Sequence, residues 1–194
     1  MSVIKKLEEA GMVQNGLYLY FPFRDNEMPR IEVSDFGSNT VVNITKNEDV
    51  VHILLSPRGR ILRMEGFLGA ICSEHLRAKI LDALSLDEPS KAIVQKFEAI
   101  TSYLILQGFR YNNPYLSMWK EEFPYGATQK LTGSHVFLCF REGQIYANLY
   151  GFIRYGFEEI HGAAMLSKDG MTEENLSFFP ELKEMAENIK PFLI

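Results

Sequence analysis

Along the first 68 residues the hydrophobic pattern comes in short strand-like runs. Leu17 to Phe21, Ile31 to Phe36, Thr40 to Lys46, Val50 to Leu55 and Ile61 to Met64 are rich in Val, Ile, Thr and Tyr. These residue types suit a pleated, half-buried surface. Gly, Pro, Asn and Asp separate the runs, and Ser56-Pro57-Arg58-Gly59 has proline where a tight turn wants its fixed φ. The last two runs are therefore expected to form a hairpin, and connections this short predict antiparallel pairing. Ahead of them, Ser2 is placed to cap a short helix that Gly11 ends.

Beyond residue 72 the pattern turns helical. Ser73 starts a helix in which Leu76, Ile80, Ala83 and Leu84 share one face. Asp87 and Pro89 start a second, longer helix, with cap and first-turn proline where the geometry favours them, and Gly108 ends it. On it Lys91, Gln95, Glu98 and Ser102 form one narrow polar stripe, expected to be solvated and without function. Nearly everything else from Ile93 to Leu106 is apolar, so most of the circumference is expected to be buried.

Residues 109 to 133 read as irregular. Asn112-Asn113-Pro114 and Phe123-Pro124-Tyr125-Gly126 are breaks around a helical turn at Tyr115 to Glu122. A second β region follows, His135 to Arg141 and Gln144 to Tyr150, joined by Glu142-Gly143. Gly151 and Gly156 flank Phe152 to Tyr155, where a bend or bulge is expected. Pro180 begins a closing helix with Leu182, Met185, Ala186 and Ile189 along one side. Pro191 stops it, leaving Phe192-Leu193-Ile194 to tuck into the core or pack on a second subunit. The expected fold class is α+β, antiparallel sheet packed with helices in a single compact domain over 1–194. Its parts are a β-rich stretch at 1–68, a helical pair at 73–108, and an aromatic hairpin region with the C-terminal helix at 109–194. Whether the two β regions join one sheet is open at this level.

Composition narrows the function classes. The 194 residues carry 20 Lys+Arg against 25 Asp+Glu, a net charge of −5 that excludes a globally basic nucleic-acid binder. At 46% hydrophobic and 23% charged, the chain is too apolar to be disordered. The N-terminus alternates charged and apolar residues with no signal-peptide core, and no uncharged run reaches the ~20 residues of a membrane span. The chain therefore reads as soluble and cytoplasmic, and without secretion the glycosylation-like Asn43-Ile44-Thr45 and Asn175-Leu176-Ser177 carry no meaning. Cys72 and Cys139, both in apolar surroundings, read as buried free thiols. The aromatics are segregated: 14 of the 24 lie between Tyr103 and Phe157, where five basic residues meet three acidic ones.

Several catalytic patterns can be weighed against this background. His52, between Val50 and Leu54 on a strand, reads as a hydrogen-bonded structural residue. Cys72 with His75 and His135 with Cys139 suggest a Cys2His2 zinc site. Four residues of strand span about 13 Å, whereas zinc holds its ligands at about 2.0–2.3 Å, so no metal is expected. A paired-histidine phosphoesterase needs a hydroxyl two residues beyond each histidine, where this chain has Leu54 and Phe137. Cys72 ahead of the Ser73 helix, with His75 nearby, makes a weak nucleophile pattern that a buried thiol explains better. Gly66-Phe67-Leu68-Gly69 lacks the spacing and the lysine of a phosphate loop. No cofactor is expected.

The second hairpin is the most informative element. A two-residue Glu142-Gly143 turn places Phe140 opposite Ile145, Leu138 opposite Ala147 and Val136 opposite Leu149, one apolar face. The other face then carries His135 with Tyr150, Phe137 with Asn148, Cys139 with Tyr146 and Arg141 with Gln144, with Arg154 and Tyr155 shortly beyond. Such a face can stack a planar group and hold an anion, or serve as a second packing face. Candidate binding residues are His135, Arg141, Tyr146, Asn148, Tyr150, Arg154 and Tyr155. With no complete catalytic constellation, the expectation is a non-catalytic binding protein of the interaction, inhibitor or immunity type, engaging a protein partner or itself. The competing expectation is an enzyme or sensor for a small anionic ligand such as a nucleotide. In that reading His135 is acid/base, Arg141 or Arg154 holds the anion, and Tyr146 or Tyr150 stacks or donates. Five basic residues in the window are too few for nucleic acid, and a membrane is not expected.

Overall fold

The computed structural model describes residues 2–20, 29–112, 115–122 and 130–193. Phe21, Asn113-Pro114, Phe123 to Gly126 and Ile194 lie outside the described residues. Ser2 caps α1 (Val3–Glu9), its side chain accepting from the Lys5 N–H at 3.3 Å, and Gly11 follows the helix at φ +97°. A short strand that the pattern does not single out, β1 (Val13–Asn15), then pairs with β2 (Tyr18–Tyr20). The other predicted runs become β3 (Arg30–Phe36), β4 (Asn39–Lys46), β5 (Asp49–Leu55) and β6 (Ile61–Glu65), each antiparallel to the one before. The β5–β6 turn closes with the Gly59 N–H donating to the Ser56 carbonyl at 3.0 Å. Gly59 needs its missing side chain twice over: φ is +77°, and an added Cβ would run into the Ser85 carbonyl.

The helices follow as α2 (Leu68–Ile71), α3 (Glu74–Leu84) and α4 (Glu88–Leu106). Asp87 caps α4 by accepting from the Ser90 N–H at 2.9 Å. Ser90, fully buried, accepts in turn from the Ile61 N–H at 2.7 Å and ties the helix start to β6. The expected polar stripe of α4 is only partly solvated. Lys91, Gln95 and Ser102 are exposed, but Glu98 is largely buried and paired with Arg77 of α3 at 2.9 Å. Burial pushes the Glu98 carboxyl up, with Arg77 and the Gly69 N–H pulling the other way. A helical period cannot distinguish a stripe facing water from one facing a partner on the next helix. The apolar remainder is not all buried either, since Leu106 is 84% exposed.

The stretch read as a helical turn is a strand. β7 (Arg110–Asn112) pairs with β8 (Tyr115–Glu122), and β8 runs antiparallel to β9 (Lys130–Arg141). Leu116 and Met118 pack inward while Tyr115, Ser117 and Trp119 lie on the opposite face, a two-residue period over too few positions to outweigh the flanking breaks. β9 and β10 (Gln144–Tyr155) form the expected hairpin in the expected register, with Glu142 and Gly143 at φ +52° and +82° as a primed turn demands. The expected bend near Gly151 is absent. Pairing is continuous from Gln144 to Tyr155 with β9 and from Ala147 to Tyr155 with β11 (Glu158–Ser167). β12 (Gly170–Glu174) completes the described strands. β11 and β12 escape a propensity reading because Glu, Ala and Gly dominate them.

The two β regions do join. One edge of β9 is shared: residues 130–136 pair with β8, while Cys139 and Phe140 pair with Glu65 and Met64 of β6. The result is one antiparallel sheet of twelve described strands, an α+β architecture with five described α-helices. Val42, Ile53, Met64, Phe140, Leu138 and Leu149 lie within one buried core with Ile80, Phe97, Ile100 and Leu104 of the helices. α5 (Pro180–Ile189) buries Leu182, Met185, Ala186 and Ile189, and Leu193 beyond it is buried in the same core. Gly151 and Gly162, opposite each other on β10 and β11, leave bare backbone on which the Phe179 ring rests. A Cβ at Gly151 would come within 2.8 Å of that ring.

Candidate functional site

The β9–β10 register separates the two faces of the hairpin. Val136, Leu138, Phe140, Ile145, Ala147 and Leu149 are all buried in the core. The opposite face is partly open: Tyr150 is 46% exposed, and Trp119, on the neighbouring β8, 51%, with most of their neighbours half-buried. There Trp119, Gly133 and Phe152 stand in one row across β8, β9 and β10, and Ser117, His135 and Tyr150 in the next. Gly133 is the gap that lets the rings close over the sheet, because a Cβ there would lie 2.6 Å from Phe152 Cζ.

His135 is the centre of this cluster. Its ring lies 5.0 Å from Trp119 and 5.7 Å from Tyr115, both edge-on, and is stacked on Phe152 at 5.9 Å between centroids. Tyr115 extends the cluster to Phe137 and Tyr150, at 5.9 and 6.4 Å. His135 Nδ1 shares a 2.8 Å hydrogen bond with Ser117 Oγ. Burial lowers the histidine pKa, so the site holds a neutral imidazole at neutral pH. A serine on a histidine invites comparison with a nucleophile–base pair. Ser117 is only 3% exposed, however, and among the described residues no carboxylate is paired with the second ring nitrogen. The hydrogen bond satisfies a buried hydroxyl and orients the ring.

The remaining predicted residues divide. Tyr146 and Asn148 share the open face with His135 and Tyr150, and Tyr146 Oη accepts from Gln144 Nε2 at 2.6 Å. The Arg141 guanidinium lies 4.9 Å from the Tyr146 ring centre. Arg154 is on the same face but engaged, its Nε donating to Glu159 at 2.9 Å, and Glu159 also meets His161 at 3.2 Å. Tyr155 is on the other face, opposite Lys130, whose ammonium is 5.8 Å from its ring centre. An odd-numbered residue on β10 cannot share a face with Tyr146 and Tyr150 while the ladder stays regular. Tyr115, Ser117, Trp119 and Phe152, which build most of the cluster, are missing from the set chosen on sequence. The alternation of Tyr115, Ser117 and Trp119 is the signal that marks them.

The other chemistries weighed on sequence find little support. His52 is exposed and bonded to Asn43 Oδ1 at 2.8 Å. Cys72 is buried and its thiol is pushed up to about 12 by burial, the reverse of an activated nucleophile. Cys139 is also buried and shifted upward for the same reason. Among the described residues no group of His, Cys, Asp and Glu is placed to hold a metal ion. None of the described helices is long and apolar enough to cross a membrane. The site's own geometry therefore carries the functional reading: no protein-family model matches the chain, and no curated protein or solved structure does.

Proposed function

We propose that the chain is a non-catalytic binding protein whose open sheet face, from Trp119 to Tyr146, receives a protein partner. The observation that carries this reading is the contiguous ring cluster of Tyr115, Trp119, His135, Phe137, Tyr150 and Phe152, with Trp119 and Tyr150 about half exposed. Large flat side chains held by one another present contact area at little conformational cost, and Trp and Tyr are enriched where binding energy concentrates. The small-anion alternative has less behind it. His135 is partnered by a serine instead of a second titratable group, and Arg154 is already paired with Glu159. Localisation in the cytoplasm belongs to the same reading.

The test compares the wild-type protein with Trp119→Ala/Tyr150→Ala as immobilised bait, after circular dichroism shows equal folding. A partner held through this face is lost by the variant, with a weakening of about tenfold or more. Because the cluster is uncharged, retention by wild type changes little between about 50 and 200 mM salt, unlike capture through phosphates. Equal retention by a well-folded variant refutes the placement.

A further inference from the structure

A second feature adjoins the ring cluster on the same face of the sheet, toward the β12 edge. A groove of about 270 Å³ lies over β10, β11 and β12, lined by Asn148, Tyr150, Ala163, Met165, Thr172 and Glu174. One small residue makes it. Tyr150, Ala163 and Glu174 stand in one row across the three strands, and Asn148, Met165 and Thr172 in the next. Two strand spacings put the outer backbones of a row about 9.5 Å apart. Met165 fills that span in its row, whereas Ala163 leaves a slot with a phenol ring on one side and a carboxylate on the other.

The polar groups around the slot are uncommitted. Among the described residues, Asn148, Thr172, Glu174 and the Tyr150 hydroxyl make no side-chain hydrogen bond or ion pair, and Glu174 is exposed. No basic residue belongs to the described lining. His161, one row along β11, is engaged by Glu159 at 3.2 Å. The ring wall is braced from behind, with Tyr115 at 6.4 Å from Tyr150 between centroids.

We infer that this slot receives a basic side chain of the protein partner, its cationic head between the Tyr150 ring and the Glu174 carboxylate and its stem over Ala163 against Met165. The inference rests on the partner-binding reading above and names the chemistry of the contact. A cation is attracted to an aromatic face within about 6 Å of its centre and donates to a carboxylate at about 2.7–2.9 Å, distances that are compatible in a slot of this width. Met165 and Ala163 offer apolar surface to a methylene stem. A guanidinium can lie flat on the ring while its fork meets the carboxylate, so arginine is expected to bind more tightly than lysine. One exposed ion pair beside an uncharged ring cluster keeps the salt dependence of partner capture shallow.

Single amino acids test the slot without the partner in hand. The isotope-labelled full-length protein is titrated, at constant pH and ionic strength, with the N-acetyl methylamides of arginine, lysine, norleucine and glutamate, and its amide resonances are followed. Saturable shifts at Ala163, Met165 and Glu174 are expected with the two cationic probes, and the tighter one identifies the head group. Glu174→Gln keeps the shape of the slot and should weaken the cationic probes about threefold or more. Ala163→Leu fills the slot and should abolish their shifts. The inference is overturned if neither cationic probe shifts these amides, if norleucine binds as well as they do, or if Glu174→Gln leaves their affinity unchanged. The glutamine variant alters one exposed side chain and keeps the test decisive should Ala163→Leu misfold. Absent probe binding, with partner capture still lost in Trp119→Ala/Tyr150→Ala, strikes the cationic contact and spares the partner-binding reading. Probe binding with capture unchanged in that variant strikes the partner-binding reading, and the assignment of the cation to a partner falls with it.

Discussion

Replacing Gly133 by alanine sets two physical effects of opposite sign against each other. Gly133 sits within β9, and its φ lies outside the left-handed region, so the backbone accepts alanine without strain. On chain entropy alone Gly→Ala at such a position stabilises by about 0.4–1 kcal/mol. The new Cβ, however, would lie 2.6 Å from Phe152 Cζ and 3.1 Å from Cδ1. The Phe152 ring must swing away, giving up its 5.4 Å contact with Trp119 and its 5.9 Å stack on His135. At about 0.5–1.5 kcal/mol for each ring pair, the loss is about 1–3 kcal/mol, and set against the entropy gain it leaves a net destabilisation of about 0–2.6 kcal/mol, centred at ~1.3 kcal/mol. For a chain of this size the central value lowers Tm by about 3–5 °C. Thermal unfolding followed by circular dichroism and by Trp119 emission measures it. In a Phe152→Leu background the obstacle is gone, so there Gly133→Ala should be neutral or stabilising, a coupling that a double-mutant cycle isolates. A higher Tm for the single variant, with Trp119 emission unchanged, refutes the account of how Gly133 shapes the site.

Other outcomes follow from the same structure. Burial lowers the His135 pKa below its ordinary 6.5, so the unfolded chain takes up the proton first. This group's contribution is intact above about pH 6.5 and shrinks as pH falls through the folded pKa. The stability margin of wild type over His135→Gln, measured by urea unfolding, should therefore narrow on acidification, and a widening margin would contradict the assignment. Ser90→Ala leaves the Ile61 N–H buried without its 2.7 Å acceptor, which should cost about 1–3 kcal/mol in the same assay, with Ser90→Thr recovering part of it. Cys72, buried and with its thiol pushed up to about 12, should resist alkylation in the native protein at mildly alkaline pH and react fully in denaturant. Rapid native-state labelling of Cys72 would show the α2–α3 corner to be open.

Much of this molecule was written in local pattern. The strands from Arg30 to Glu65 needed only β-branched runs between turn residues, because each pairs with its neighbour across a short connection. The β9–β10 register followed from Glu142-Gly143 and a two-residue period, and with it the apposition of His135 to Tyr150 and Cys139 to Tyr146. Tertiary pairing alone decided the rest. Tyr115 to Glu122 becomes a strand because β9 offers it a ladder; the alternation at Tyr115, Ser117 and Trp119 marks a shared face but not that partner. The β6–β9 junction, two residue pairs whose members are 74 and 76 positions apart in the chain, leaves no mark on propensity at all. Gly133 and Gly151 look like interruptions along the chain, yet in space they are seats for Phe152 and Phe179. A sequence records which face each residue of a strand will occupy. What lies across that face depends on partners far away along the chain, and that is where the ring cluster was made.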